Sequence, residues 1–175
     1  MNIKKETVDL LISHNQIHIR SIEFDESLCQ WGEGNVKQGA IIYNNYLIFD
    51  PLPEEAFGAN VNLINATSFS VDTNAQRCIS VPFVVVDTNL LQLASAFEKF
   101  QIKINLVEGK YQLYYEICED QEVYYNFTFV KSEEPLEAKY LLSDPWGGEK
   151  DKLLIEGYIE KMIGGNRGYS KTLTL

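Results

Sequence analysis

The sequence predicts a mainly β protein, an antiparallel β-sandwich with few short helices, and three observations carry that expectation. Apolar and polar residues alternate over many short runs, residues that turn the backbone recur between those runs, and helical periodicity is sparse. Residues 79–118 contain all three. Val81, Phe83 and Val85 alternate with Pro82, Val84 and Val86, Asp87-Thr88-Asn89 turns the chain, and Leu91 and Leu93 resume the alternation. Residues 101–107 alternate again, Glu108-Gly109 turns, and residues 111–118 return.

Taken in chain order, residues 8–13 and 16–24 read as strands. Residues 31–39 read as a short helix that Gly39 ends, since glycine readily takes the left-handed conformation of a helix C-terminus. Residues 40–49 form a hairpin folding back at Asn44-Asn45, because Asn tolerates positive φ better than most residues. One helical turn is expected over residues 53–58, with Glu54 and Glu55 at its positive end. Strands follow at 60–64 and 67–71. Residues 89–100 fit either a helical stripe through Leu90, Leu93, Ala94 and Phe97 or a strand, with strand favoured for the first half. The hairpin 111–130 has its tip at Glu119-Asp120-Gln121. β-like runs return at 138–142 and 153–163, separated by the Asp144-Pro145-Trp146-Gly147-Gly148 loop.

At 175 residues the chain suits a single sandwich domain, assigned to residues 1–160, followed by a basic, Gly-rich C-terminal tail over residues 161–175. That tail holds Lys161, Arg167 and Lys171 and no acid, and it reads as mobile. No apolar run approaches the ~20 residues that span a bilayer. The first residues place Glu6 and Asp9 where a secretory signal would be apolar, so a cytoplasmic location is expected. Cys29, Cys78 and Cys118 are odd in number and widely spaced, which reads as reduced thiols rather than a disulfide framework or a metal site. In that compartment the sequons at Asn65 and Asn126 carry no sugar.

The net charge is −10, and residues 51–130 hold four bases against ten acids, a net of −6. Such a field repels phosphate backbones and anionic membranes and attracts basic proteins, although solubility alone also accounts for an acidic chain. Catalytic chemistry finds no carrier. His14 and His18 lie four apart, which on a strand means one face but roughly 13 Å of separation, too far for one metal ion. Asp50, Glu54, Glu55, Glu116 and Glu122 are candidate carboxylates for a hydrolase, but that chemistry needs two of them facing each other across about 5–10 Å, and sequence shows no such opposition. The pairs Gly147-Gly148 and Gly164-Gly165 lack the ending of a phosphate loop. The expectation is no enzyme, no catalytic residue, no metal and no cofactor.

The hairpin 111–130 is the candidate site. Alternation puts Tyr111, Leu113, Tyr115 and Ile117 on one face with Val123, Tyr125, Phe127 and Phe129. The opposite face is then Tyr114, Glu116, Glu122 and Tyr124, with Glu119 and Asp120 at the tip. Tyrosine beside carboxylate suits docking of a basic protein: the ring supplies rigid contact area and the acids steer the encounter. The alternative is that both tyrosines are half-buried under a neighbouring loop. Trp31 and Trp146 are further anchor candidates, with core packing favoured for each. A second functional reading is a carbohydrate-binding sandwich using Trp31, Tyr114 and Tyr124 as platforms, but neutral sugars give no reason for the charge.

The run ISHNQIHI, Trp31 followed eight positions later by Gly39, the hairpin AIIYNNYLIFD, then ISVPFVV and INLVEGKYQLYYEI together resemble the bacterial competence protein J family, over roughly residues 10–118. The resemblance implies a small cytosolic binding protein with no catalysis of its own, which restrains a metal-dependent, non-specific nuclease linked to DNA uptake. The chain departs from the family by running on past Phe129. The partner expected is therefore a basic protein of the nuclease type, with no direct contact to nucleic acid or membrane.

Overall fold

The computed structural model describes residues 4–52, 57–162 and 169–173, the side chains of residues 57, 161, 162 and 169–173 excepted. Among the described residues the strands are β1 (Lys4–Ile12), β2 (Ile17–Arg20), β3 (Ala40–Tyr43), β4 (Tyr46–Phe49), β5 (Phe57–Ala66), β6 (Ala75–Val85), β7 (Gln92–Ala94), β8 (Lys99–Gln101), β9 (Gly109–Glu119), β10 (Val123–Lys131), β11 (Lys139–Tyr140), β12 (Tyr158–Met162) and β13 (Tyr169–Leu173). One short α-helix, α1 (Glu33–Gln38), lies between β2 and β3. A six-stranded sheet in the order β1-β5-β10-β9-β6-β11 faces a five-stranded sheet in the order β3-β4-β2-β7-β8, and β12 pairs with β13. The pairings are antiparallel except β5 with β10, which run parallel. The protein is thus mainly β, as the alternation predicts.

The sandwich core is where the expected inner faces meet. Phe127 lies opposite Tyr115 and Phe129 opposite Leu113 across β9 and β10. From the other sheet, Phe49 stacks on Tyr115 with 4.3 Å between ring centroids. Each aromatic side chain buried in this way contributes about 1.5–3 kcal/mol relative to exposure. The two phenols in this layer reach acceptors at the edge of the core: Tyr115 donates to the Asp50 carbonyl (3.2 Å) and Tyr125 to that of Pro51 (3.0 Å). The five-stranded sheet is buried on its other side too, where Ile22, Leu28, Cys29 and Trp31 cover Ile41, Tyr46 and Ile48.

Several local expectations are corrected. ISHNQIHIR is no continuous strand: His14 and Asn15 take φ of 55° and 51°, turning the chain from one sheet to the other. The hairpin at Asn44-Asn45 forms, but neither Asn has positive φ; their carbonyls instead accept from the Val84 and Ser21 amides at 2.7 and 3.0 Å. Helix α1 ends at Gly39 with φ of 82°, as the sequence predicts. Residues 67–71 form no strand, and the strand expected over 16–24 stops at Arg20. The turn expected over 53–58 lies outside the described residues through residue 56, and Phe57 and Gly58 open β5.

The chain beyond β10 folds back onto the sandwich. β11 adds to the edge of β6. Arg77 in β6 forms a bidentate pair with Asp144, Nε to Oδ2 at 2.8 Å and Nη2 to Oδ1 at 3.0 Å, with both side chains buried. The Asn35 side chain of α1 accepts from the Ile159 amide (2.8 Å) and donates to the Gly157 carbonyl (2.9 Å), while Gln38 exchanges two hydrogen bonds with Ile155. A Cβ on Gly32 would overlap the Ile159 carbonyl, so glycine allows this close approach. Of the tail expected over 161–175, residues 163–168 and 174–175 lie outside the described residues, and 169–173 pair with β12.

Candidate partner-binding surface

The surface begins with the outward face of the six-stranded sheet. Strand register aligns Thr7, Asn62, Asn126 and Glu116 across β1, β5, β10 and β9. Hydrogen bonds run along that row: Thr7 Oγ1 donates to Asn62 Oδ1 (2.7 Å), Asn62 Nδ2 to Asn126 Oδ1 (2.9 Å), and Asn126 Nδ2 to Glu116 Oε1 (3.1 Å). The loop 67–74 closes over one end. Phe69 stacks on Tyr114 at 3.9 Å, the Asp72 amide donates to Glu116 Oε2 (2.7 Å), and Asp72 Oδ2 accepts from Tyr124 (3.0 Å) and Asn126 (3.1 Å).

The structure therefore separates the candidate residues into two groups. Glu119, Asp120 and Glu122 project from the hairpin tip and are exposed. Tyr114 and Tyr124 are half-buried beneath the 67–74 loop, the alternative reading of the two. Glu116 is only 2% exposed, which corrects the expectation of an outward-facing charge: its face was read rightly, but the loop covers it.

Electrostatics follow from this cover. Burial pushes the Glu116 carboxyl above its ordinary range, and the nearby Asp72 carboxylate adds to the rise against the donors from Asp72 N–H and Asn126. Asp72 is opposed by burial as well, yet the donors Asn74 N–H, Tyr124 and Asn126 hold it below its ordinary value. Burial and the Asp72 carboxylate push Tyr124 up to about 12, so it stays a donor at neutral pH.

A raised acid binds its proton more tightly in the folded state, so stability is lost as pH rises from the unfolded value through the folded one. Glu116→Gln removes that loss. Melts at about pH 4 and about pH 7 should show the variant gaining on the native chain at the higher pH; a pH-independent difference would contradict the assignment.

Beside this network, Lys5, Asn60, Asn62, Asp72, Asp120 and Glu122 line an open groove of about 880 Å³, and an adjoining hollow extends it past Asp9. Acids outnumber bases here, and the exposed ones are free to meet a cation. Sequence reasoning missed Asp9, Asp72, Asn60 and Asn62. The alternating Asn residues of ANVNLIN were the available signal, since they mark an outward strand face with hydrogen-bonding capacity.

The competing readings find less support. Trp31 packs on the five-stranded sheet, away from Tyr114 and Tyr124 on the other, so the three form no common sugar platform. Of the hydrolase candidates, Asp50 caps the Leu52 amide (2.8 Å), Glu116 is buried, Glu122 is at the tip, and Glu54 and Glu55 lie outside the described residues. His14 and His18 border one groove on the five-stranded sheet. Among the described residues the three cysteines are unpaired thiols, and no helix is long and apolar enough to cross a membrane.

Fold and groove define a β-sandwich protein with an acidic, amide-lined surface suited to a basic partner. The family model of competence protein J (ComJ) matches residues 9–130, and the chain belongs to that family. The crystal structure of ComJ from Bacillus subtilis, an inhibitor of the DNA degrading activity of NucA, matches with a TM-score of 0.63 at 18% identity. The match covers 75% of this chain and 100% of that one, and at this identity it speaks to the fold. No curated protein sequence matches the chain.

Proposed function

We propose that this chain is a non-catalytic cytoplasmic inhibitor of a basic nuclease of the kind that ComJ restrains. The observation that carries the reading is membership of the competence protein J family. The acidic groove supports it independently: a nuclease that degrades DNA without sequence preference presents a basic cleft, and a folded acidic protein competes for that cleft. In this reading Glu119, Asp120 and Glu122 steer the encounter, Tyr124 contributes at the groove wall, and Tyr114 and Glu116 act beneath the surface by fixing the 67–74 loop. In this reading residues 1–160 form one domain and 161–175 a C-terminal tail, with β12 running across that boundary to Met162.

The test is reconstitution. DNA cleavage by a purified nuclease of this type should stop on addition of the purified chain and return as salt is raised, because screening weakens exposed charge pairs. Cleavage that continues at low salt would reject the proposal.

A further inference from the structure

A second concavity, of about 1010 Å³, lies on the outward face of the five-stranded sheet, behind the acidic groove. His18 and Arg20 of β2 form its floor, and Phe24, Trp31 and Phe97 stand along its walls. Arg20 is 5% exposed, yet among the described residues no carboxylate lies within ion-pair distance of it.

Neutral groups hold it instead. Its Nε donates to Gln92 Oε1 (3.0 Å), and Nη1 lies 3.4 Å from the Tyr46 hydroxyl and 3.5 Å from His18 Nδ1. Among the described residues Nη2 has no hydrogen-bond acceptor. The guanidinium sits 5.6 Å from the Phe24 ring centroid and 5.7 Å from that of Tyr46. Burial and the Arg20 charge hold His18 down to about 4, so the ring is neutral at pH 7 and its Nε2 faces Gln16 Oε1 at 2.7 Å.

A buried cation without a counter-ion is costly, whereas Arg77 in the same protein has Asp144 as its counter-ion. The contrast marks Arg20 as incomplete. With Nε and Nη1 engaged, Nη2 is left to donate a charge-assisted hydrogen bond to a carboxylate oxygen. The rim adds apolar surface: Phe24 is 60% and Phe97 72% exposed. The acids on the rim do not fill the role, since Glu98 Oε1 accepts from the Leu11 amide (2.8 Å) and, among the described residues, Glu26 makes no ion pair.

We infer that this groove binds a small organic carboxylate with a flat apolar body, the carboxylate on Arg20 and the body against Phe24, Trp31 and Phe97. The inference goes beyond nuclease inhibition and uses the opposite face of the sandwich, so either reading stands or falls without the other.

The probe is phenylacetate, titrated into the full chain while the Arg20 Nε–H resonance and Trp31 emission are followed. Saturable shifts with a dissociation constant in the millimolar range or tighter are expected, the scale for so small a ligand. Phenylacetamide, which keeps the shape and lacks the charge, should bind at least ~10-fold more weakly. Arg20→Met should lose the site, and Phe97→Ala, at an exposed position that does not endanger folding, should weaken it several-fold. Absence of saturable shifts, or equal binding of acid and amide by the native chain, would overturn the inference.

Discussion

Asp144→Ala should lower the melting temperature by roughly 6–20 °C. Removing one partner of a buried, hydrogen-bonded ion pair leaves the other charge uncompensated and costs about 3–5 kcal/mol, and in a chain of this size each kcal/mol is worth about 2–4 °C. The geometry puts Asp144 at the upper end. Besides its bidentate bonds to Arg77, its Oδ1 accepts from the Trp146 and Gly148 amides at 2.9 Å each, so the substitution also releases the loop they shape. Arg77 meanwhile is 1% exposed and lies 5.4 Å from the Tyr140 ring centroid and 5.9 Å from that of Trp146, so its charge would be left in a buried site.

The double variant Arg77→Met/Asp144→Leu should recover much of the loss, because apolar replacement of both partners removes the stranded charge. A drop under about 2 °C in the single variant would show that the segment after β10 is held by β11 and α1 alone.

Neutralising the hairpin tip as Glu119→Gln/Asp120→Asn/Glu122→Gln should slow association with the nuclease by about 10–100-fold at low salt, within the range that electrostatic steering commands. All three side chains are exposed, so each substitution should shift stability by no more than about 0.5 kcal/mol. The dissociation rate should change less than the association rate, since rim charges act mainly before contact. Stopped-flow or surface binding kinetics at two salt concentrations, beside a melt, separate these outcomes. An unchanged association rate at low salt would move the docking surface away from the tip.

Much of the sandwich was legible because alternation reports which face of a strand is buried, and burial is what these residues share. Alternation puts Tyr115, Ile117, Tyr125 and Phe127 on one face of the hairpin, and that face lies in the core, these four at 4% exposure or less. The same signal misleads where the chain is alternately buried but unpaired. Ile102, Ile104 and Leu106 are buried between exposed neighbours, yet the ladder of β8 stops at Gln101 and Asn105 takes φ of 59°. Residues 67–71 alternate because Phe69 rests on Tyr114, as a lid rather than as a strand.

The candidate site was half legible for a related reason. Hairpin tips follow from local sequence, so Glu119, Asp120 and Glu122 were found. Asp9, Asn60 and Asp72 join them only through long-range register, including a parallel pairing of β5 with β10 that no short turn announces. The burial of Glu116 was hidden in the same way, since alternation assigns a face and says nothing of what covers it. Arg20 shows the reverse case: a basic residue in a strand reads as exposed, and here it is 5% exposed at the foot of a groove walled by Phe24 and Trp31.

Inhibition of a nuclease by occupation of its basic cleft is tested by a DNA-degradation assay with purified nuclease and chain at near-equal concentrations. DNA should remain intact at low salt, cleavage should return as ionic strength rises to about 0.5 M, and the tip variant should need more protein for the same protection. Undiminished cleavage at low salt with the chain in excess would contradict inhibition, and protection that is indifferent to salt would contradict the electrostatic mechanism.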